Sequence, residues 1–159
     1  MIFNIRLSFV FVWSSVVAQK FSSATMNCEE FAKYLDLLDH PVQLRLGPDV
    51  SSLYYLHKEH VSRFPYNNLD LYLGKPICDL SISALLQTVS VQGGHCYQQS
   101  ELMFYALEYL GFKIERVAAW VLMGREYKEE MSPNHNILLI KIGHDTFLCD
   151  PGLASTSPR

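Results

Sequence analysis

The sequence lacks any long run of like charges. Its 159 residues include 13 Lys and Arg and 16 Asp and Glu, which gives a formal net charge of −3. No basic stripe suited to nucleic acid or to an acidic membrane surface is visible. Internal repeats and low-complexity tracts are missing too, so neither a solenoid nor an array is indicated. We therefore expect small-molecule partners and no nucleic acid.

The sequence also lacks an apolar run long enough to span a bilayer. The apolar stretch at residues 7–18 follows a short basic start, a pattern typical of a secretory signal. We interpret residues 1–25 as a leader or signal-like segment. Translation could instead start at Met26, because Asn27 and Glu30 are placed to cap a first helix. A cytoplasmic location is expected, with secretion as the alternative if residues 1–18 act as a signal peptide.

Closely spaced cysteine pairs are missing as well. The four cysteines are irregularly spaced and form no Cys-x-x-Cys motif, which argues against a zinc site, so we expect no metal. Four cysteines could form two disulfides outside the cell or remain free thiols inside it.

What is present is a 49% hydrophobic composition, enough to bury the core of one compact unit. Apolar residues at helical spacing predict four helices, which begin at Asn27, after Pro48, at Asp79 and at Cys96. Strand-like patterns follow at residues 113–122 and 136–142, and a turn at residues 143–145 leads into a hairpin partner. Helices first and antiparallel strands second indicate an α+β fold.

Three residues in this layout could form one chemical site. Cys96 follows two glycines and opens a helix, where backbone amides and the helix dipole favour the thiolate. His135 opens one strand and Asp150 closes the next, so the aspartate could orient the imidazole that activates the cysteine. Each residue alone has an ordinary structural explanation. Together they predict acyl transfer through a thioester, a chemistry that papain-like and transglutaminase-like hydrolases also perform.

The flanking residues resemble a known family. Residues 92–97, Gln-Gly-Gly-His-Cys-Tyr, are similar to the Arg-Gly-Gly-any-Cys-aromatic signature of arylamine N-acetyltransferases. Residues 134–139 resemble the family's histidine strand, residues 147–152 its aspartate motif, and residues 64–69 its Pro-Phe-Glu-Asn-Leu segment. The four motifs occur in the family's order, and the resemblance covers about residues 27–155.

This resemblance implies a function. Cys96 would take acetyl from acetyl-coenzyme A, the co-substrate, and an arylamine or hydrazine nitrogen would then attack the thioester in a ping-pong reaction. The positions of Met131 and Ser132 correspond to coenzyme contacts. Those of Tyr66, Val121 and Asn134 fall where the family places its acceptor pocket, although core packing explains Tyr66 and Val121 equally well. His95 occupies a variable position and is interpreted as non-catalytic.

The resemblance also implies an architecture. Residues 26–111 would form a helical domain with the cysteine, and residues 112–159 part of an antiparallel β-barrel with the histidine and the aspartate. Together they would make a truncated, cysteine-proteinase-like core. Family members are much longer, so an inactive short form or a binding module of the same fold is an alternative function. A thiol hydrolase is a further one.

Two positions depart from the family pattern. Gln92 stands where the family usually has arginine, and Asn67 where it usually has glutamate. Removing both partners of an ion pair can be nearly neutral, whereas removing one costs about 3–5 kcal/mol. The paired change predicts that the side chains of Gln92 and Asn67 hydrogen-bond to each other.

Overall fold

The structure is a computed structural model, and it describes residues 10–12, 24–41, 43–75, 79–122, 124, 126–128 and 130–153. The elements of this part of the chain follow the predicted order, helices before the main strands. The helices are α1 (Cys28–Leu37), α2 (Val50–Arg63), α3 (Leu69–Tyr72), α4 (Ile82–Gln92) and α5 (Cys96–Tyr109). The strands are β1 (Val10–Val12), β2 (Lys113–Val121), β3 (His135–Ile142) and β4 (Asp145–Cys149), and a 3-10 turn follows at Pro151–Leu153.

The start of α1 carries the predicted cap. Asn27 Oδ1 accepts hydrogen bonds from the backbone N–H groups of Glu29 and Glu30, at 2.9 and 3.0 Å. The Glu30 carboxylate in turn accepts from the Asn27 N–H at 2.9 Å. This reciprocal arrangement satisfies donors that the first turn of a helix leaves unpaired. The predicted capping role of Asn27 and Glu30 is confirmed.

The central element is α5, the helix that begins at Cys96. It packs against α4, β3 and the 3-10 turn. Every residue from Gln98 to Leu107 is buried, including polar Ser100. The Ser100 hydroxyl donates to the Asn136 carbonyl of β3 at 2.9 Å. Each buried leucine of this helix contributes about 1.5–3 kcal/mol of hydrophobic stabilisation.

A buried ion pair fastens α5 to β2. Arg116 donates from Nε and Nη2 to the two carboxylate oxygens of Glu101, at 2.6 and 2.9 Å. The Arg116 guanidinium also lies over the ring of Phe104, 3.4 Å from its centroid. Such a bidentate pair fixes the relative orientation of the two elements.

The four strands form one antiparallel sheet in the order β1-β2-β3-β4. The α+β class and the hairpin between β3 and β4 are confirmed, and the described strands form an open sheet with β1 and β4 at its edges. Strand β1 was not predicted. It lies within the leader-like segment, where residues 10–12 pair with residues 119–121 of β2. The other residues before 24 lie outside the described part, and the leader interpretation stays a prediction.

Three of the four cysteines lie in the described part of the chain, and all three are free thiols. Cys28 is exposed, while Cys96 and Cys149 are buried. Cys78 lies outside the described residues. Among the described residues, no helix combines the length and the hydropathy needed to cross a membrane.

Candidate active site

Two glycines place Cys96 at the start of α5. Gly93 has a φ of 77°, and a β-carbon there would overlap the Pro65 carbonyl oxygen, so only glycine fits this approach. Gly94 donates its N–H to Pro65 O at 3.1 Å and accepts from the Asn67 N–H at 3.0 Å. The loop before the cysteine is thereby held against the segment that follows α2. Cys96 is the first residue of α5, where the positive end of the helix dipole favours a thiolate.

A series of hydrogen bonds between buried polar side chains stabilises this loop. Gln99 donates from its amide to the carbonyl oxygens of Phe64, Pro65 and Gly94, at 3.2, 3.0 and 3.3 Å. The Gln99 carbonyl oxygen lies 2.8 Å from His60 Nε2. His60 must therefore carry a proton on Nε2, which leaves Nδ1 to accept from the Tyr34 hydroxyl at 3.0 Å. Burial lowers the pKa of His60 to about 3, so its ring is neutral.

His135 and Asp150 meet at one end of the β3-β4 hairpin. His135 Nε2 lies 2.9 Å from both carboxylate oxygens of Asp150. Asp150 Oδ1 also accepts from the Leu153 N–H at 3.1 Å, so the 3-10 turn orients the carboxylate. With Nε2 donating to Asp150, His135 Nδ1 is the ring atom that remains to exchange a proton with Cys96. The structure brings the three predicted residues together, and all are buried, with exposed fractions of 8%, 3% and 5% for Cys96, His135 and Asp150.

The charge states of this site favour a thiolate and an imidazolium. Burial opposes ionisation of Cys96, but hydrogen bonds and charge from His135 and His95 outweigh it and lower the pKa of Cys96 to about 6. Burial also opposes protonation of His135, yet Asp150 and Cys96 raise the pKa of His135 to about 9. Between these values the sulfur is nucleophilic and the imidazole can donate a proton. The pKa of Cys149 is shifted in the opposite direction from that of Cys96. Burial and the charge of Asp150 raise this pKa, so Cys149 stays a thiol.

The three residues predicted for the acceptor pocket lie in different settings. Tyr66 is half exposed and lies close enough to Cys96 that burial and the thiolate charge raise the pKa of its phenol. Asn134 uses its side chain on the backbone of Val121, where Oδ1 accepts from the N–H at 2.8 Å and Nδ2 donates to the carbonyl at 3.4 Å. Asn134 and Val121 thus contact each other, and these two hydrogen bonds position Val121, the last residue of β2.

The predicted coenzyme contacts, Met131 and Ser132, lie in the segment just before β3. The backbone of Met131 is engaged within the chain, since its N–H donates to Lys128 O at 3.0 Å and its carbonyl accepts from Trp120 Nε1 at 2.9 Å. Ser132 is exposed. Of the two, Ser132 is therefore the better placed to meet a ligand.

The predicted contact between the side chains of Gln92 and Asn67 is wrong. Asn67 Nδ2 donates to the backbone carbonyl of Gln92 at 2.9 Å, and its Oδ1 accepts from the Leu69 N–H. The side-chain amide of Gln92 turns instead to the Asp70 carboxylate, at 3.5 Å. A carboxylate is a stronger acceptor than an amide oxygen, and Asn67 already uses both of its side-chain polar atoms on backbone groups.

Two neighbours of Cys96 contribute to this site besides His135 and Asp150. The interpretation of His95 as non-catalytic stays a prediction, and His95 helps His135 to lower the pKa of Cys96. Gly152 packs on the cysteine from the 3-10 turn. The sequence indicates Gly152 only as part of the aspartate motif, because its contact with Cys96 depends on how the hairpin folds back.

Known proteins share this fold and part of this sequence. A family model described as N-acetyltransferase matches residues 49–158. An arylamine N-acetyltransferase from Mycolicibacterium smegmatis is 35% identical over 122 residues, covering 72% of this chain and 44% of that protein. The chain belongs to the arylamine N-acetyltransferase family, and it spans less than half the length of this relative.

Solved structures agree with this assignment. The M. smegmatis arylamine N-acetyltransferase is similar with a TM-score of 0.71 at 31% identity, covering 84% of this chain and 50% of that one. A Mycobacterium marinum arylamine N-acetyltransferase, solved in complex with CoA, has a TM-score of 0.70 at 26% identity. That similarity covers 80% of this chain and 49% of the M. marinum chain.

Proposed function

We propose that this chain carries the acetyl-transfer centre of an acetyl-CoA-dependent arylamine N-acetyltransferase, with Cys96, His135 and Asp150 as its catalytic residues. The observation that supports this most is the grouping of Cys96 and His135 around Gly152, with His135 Nε2 2.9 Å from the buried Asp150 carboxylate. The lowered pKa of Cys96 agrees with this geometry. Family membership narrows the acyl group to acetyl and the acceptor to an arylamine or hydrazine nitrogen.

In the first half-reaction the Cys96 thiolate attacks the carbonyl carbon of acetyl-CoA. The new C–S bond forms while the bond to the coenzyme sulfur breaks, and His135 gives its proton to the departing coenzyme thiolate. Asp150 holds the ring of His135 in place throughout and stabilises its positive charge. Acetyl-Cys96 and neutral His135 result.

In the second half-reaction the acceptor amine attacks the acetyl-Cys96 carbonyl. Neutral His135 takes a proton from the amine, the C–S bond breaks, and its electron pair returns to the Cys96 sulfur. The products are the acetylated amine and the original ion pair. The same imidazole therefore acts first as an acid and then as a base.

We assign the ligand contacts from the exposure of each residue and from its position relative to Cys96 and His135. We assign Ser132, with neighbouring Met131, to the coenzyme, because Ser132 is exposed just before the strand that carries His135. Tyr66 is assigned to the acceptor pocket because its phenol lies near Cys96. We assign Val121 and Asn134 to the same wall, with Asn134 acting through its bonds to the Val121 backbone.

The architecture is proposed on the same grounds. Residues 26–111 would form the helical domain, and residues 112–159 the first part of a β-barrel, which together make a cysteine-proteinase-like core. In the longer relatives, additional chain would complete the barrel and cover the coenzyme. We place the activity in the cytoplasm, where acetyl-CoA is supplied.

The test is to incubate the whole chain with acetyl-CoA labelled in its acetyl group and to map the label by mass spectrometry. We expect a hydroxylamine-sensitive acetyl thioester on Cys96, released as the acetylated amine when aniline or phenylhydrazine is added. Cys28→Ser, at the exposed thiol, should keep the label, whereas Cys96→Ser should lose it.

Other outcomes would decide between the remaining alternatives. Label that persists in Cys96→Ser would remove the proposed nucleophile. A folded chain that takes no label from acetyl-CoA would support an inactive short form or a binding module. Cleavage of a peptide ester faster than acetyl transfer would support a thiol hydrolase.

A further inference from the structure

Trp120 is the next-to-last residue of β2, and it points to the opposite face of the sheet from His135. Side chains alternate along a strand, so Trp120 faces away from its neighbours Ala119 and Val121. Ala119 pairs directly with His135 of β3, which places the side chains of these two residues on the same face. Trp120 can therefore influence the reaction only through another part of the chain.

The indole of Trp120 contacts the loop between β2 and β3 at two points. Its Nε1–H donates to the Met131 carbonyl oxygen at 2.9 Å. Its ring also packs edge-to-face with Tyr127, with 5.3 Å between the ring centroids and 77° between the planes. The side chain is buried, with an exposed fraction of 6%, and a buried indole N–H needs an acceptor. Here the acceptor belongs to the loop and not to the sheet.

This hydrogen bond reaches the segment that we assign to the coenzyme. Met131, whose carbonyl the indole fixes, immediately precedes the exposed Ser132. On the other side of Ser132, the Asn134 N–H donates to the Ala119 carbonyl of β2 at 3.1 Å. Ser132 thus lies between two points that are each tied to β2, and Trp120 supplies the first of them.

Fixing a loop before its ligand arrives increases the affinity for that ligand. An exposed loop side chain loses conformational freedom when it is immobilised by a ligand, and this loss is subtracted from the binding free energy. Core packing accounts for the burial of the Trp120 ring. It does not account for the direction of the N–H group, which points to a carbonyl next to Ser132.

We propose that Trp120 is a positioning residue for the coenzyme, whose indole N–H fixes the Met131 carbonyl and thereby orients Ser132. Trp120 acts through the loop and touches neither the coenzyme nor Cys96. The inference rests on the proposed function in assigning Ser132 and Met131 to the coenzyme. It adds a residue that none of the four sequence motifs contains.

Two substitutions in β2 separate this role from general packing. Trp120→Phe keeps an aromatic ring beside Tyr127 and removes the indole N–H, but it also removes part of the buried volume. Val117→Ala is the matched control for lost volume, because Val117 is 8% exposed and packs with Ala119 and Ile137 of the strands. A cavity at Val117 weakens the same sheet without removing a bond to the loop.

The first measurement is the dissociation constant of CoA for the whole chain, obtained by titration calorimetry. We expect Trp120→Phe to weaken CoA binding about fivefold, which corresponds to the loss of one neutral hydrogen bond. Val117→Ala should bind CoA like the unsubstituted chain, and alkylation of Cys96 by iodoacetamide should be unchanged in both variants. Unchanged CoA affinity in Trp120→Phe, or an equal loss in Val117→Ala, would overturn the proposal.

The second measurement needs no ligand. The Met131 N–H donates to the Lys128 carbonyl at 3.0 Å, so a loop that is held at Met131 also restrains the peptide bond after Lys128. We expect trypsin to cut after Lys128 about fivefold faster in Trp120→Phe and at the original rate in Val117→Ala. Equal rates in Trp120→Phe and the unsubstituted chain would show that the indole N–H does not hold the loop.

These outcomes are distinguishable from a failure of the proposed function, because CoA carries no acetyl group and its binding needs no chemistry. A chain that forms no thioester on Cys96, yet binds CoA more weakly in Trp120→Phe, would contradict the proposed function and support the role of Trp120. A chain that forms the thioester, with a CoA affinity that does not depend on Trp120, would contradict only the role of Trp120. Failure of the unsubstituted chain to bind CoA would overturn that role as well.

Discussion

Gly152 packs directly on Cys96. A β-carbon at Gly152 would lie 2.7 Å from both Cα and Cβ of Cys96, and 3.3 Å from Cε1 of His135. The turn that follows Asp150 thus closes over the cysteine and the histidine together. This contact joins the end of the β3-β4 hairpin to the start of α5, and it leaves no room for a side chain.

We predict that Gly152→Ala disturbs the site more than the fold. The new methyl group meets backbone and β-carbon atoms that cannot move independently, and overpacking of this kind costs about 1–3 kcal/mol. Cys96 alkylation at pH 7 should fall at least tenfold, because the sulfur and His135 are pushed apart.

Gly47→Ala is the matched control for this substitution. A β-carbon at Gly47 would make an ordinary contact, 3.6 Å from an Asp49 oxygen. It should change neither alkylation nor thermal unfolding. Unchanged alkylation in Gly152→Ala would show that the turn yields easily and does not hold the site together.

The pH dependence of acetyl transfer should be bell-shaped. Below about pH 6 Cys96 takes up a proton and loses its nucleophilic form, and above about pH 9 His135 loses the proton that the coenzyme thiolate needs. The activity should therefore rise as pH increases through 6 and fall as it increases through 9. The kcat/KM for acetyl-CoA over pH 4.5–10, which reports the ionisation of the free enzyme, measures both limbs.

A separate assay isolates the acid limb. Alkylation of Cys96 by iodoacetamide needs only the thiolate, so its rate should show a midpoint near pH 6, well below the value of about 8.5 for an ordinary cysteine. In His135→Asn the midpoint should move upward, because the largest hydrogen-bonding contribution is removed. A midpoint near 8.5 in the unsubstituted chain would contradict the ion pair.

Much of this site could be predicted from the sequence, because its parts are local. The glycine pair before Cys96 and the apolar stretch after it predict where α5 begins, and a run of branched apolar residues predicts β3. The position of Cys96 at a helix start and of His135 at a strand start follows from these patterns.

The features of the fold and the site that the sequence did not predict depend on contacts between segments that are distant in sequence. The side chain of Gln92 had two polar candidates within reach, Asn67 and Asp70, and composition alone did not favour the carboxylate. Helix α3 has no buried residue, so it lacks an amphipathic pattern that could indicate it. Strand β1 is three residues long, too short for a periodic signal, and its pairing with β2 is a tertiary event.

The buried chain from Tyr34 through His60 to Gln99 provides a third prediction. Gln99→Met keeps the approximate size but removes the donors for three loop carbonyls and the acceptor for His60. Each buried polar group left without a partner costs about 1–3 kcal/mol. We expect lower thermal stability and, because Gly94 loses its support, slower alkylation of Cys96.

Tyr34→Phe tests the far end of the same chain. It removes the hydroxyl that donates to His60 Nδ1, so stability should fall by about 1–3 kcal/mol. The Gln99 bonds to the loop stay in place, and alkylation should be unchanged. Equal losses of alkylation in the two variants would show that general destabilisation, and not loop support, controls the cysteine.

The ion pair between Glu101 and Arg116 leads to a fourth prediction, on stability alone. Burial raises the pKa of Glu101 against the opposing effect of Arg116, which shows that desolvation offsets much of the attraction. Removing one partner is nevertheless costly. Glu101→Gln leaves the guanidinium, whose side chain is 15% exposed, without its carboxylate, so we expect a loss of about 3–5 kcal/mol in unfolding free energy.

Strands β2 and β3 offer a matched comparison in an exposed pair, Glu115 and Lys141, whose side chains are 60% and 55% exposed. Glu115→Gln should change the unfolding free energy by no more than about 1 kcal/mol, since water and salt screen such pairs. Urea unfolding of the two variants with and without added salt measures the difference. Because the buried pair is shielded from ions, salt should leave the loss in Glu101→Gln nearly constant.

The opposite outcome is a loss of unfolding free energy in Glu101→Gln as small as that in Glu115→Gln. It would mean that apolar contacts hold α5 and β2 together, and that the contact of the guanidinium with the Phe104 ring is sufficient to stabilise Arg116.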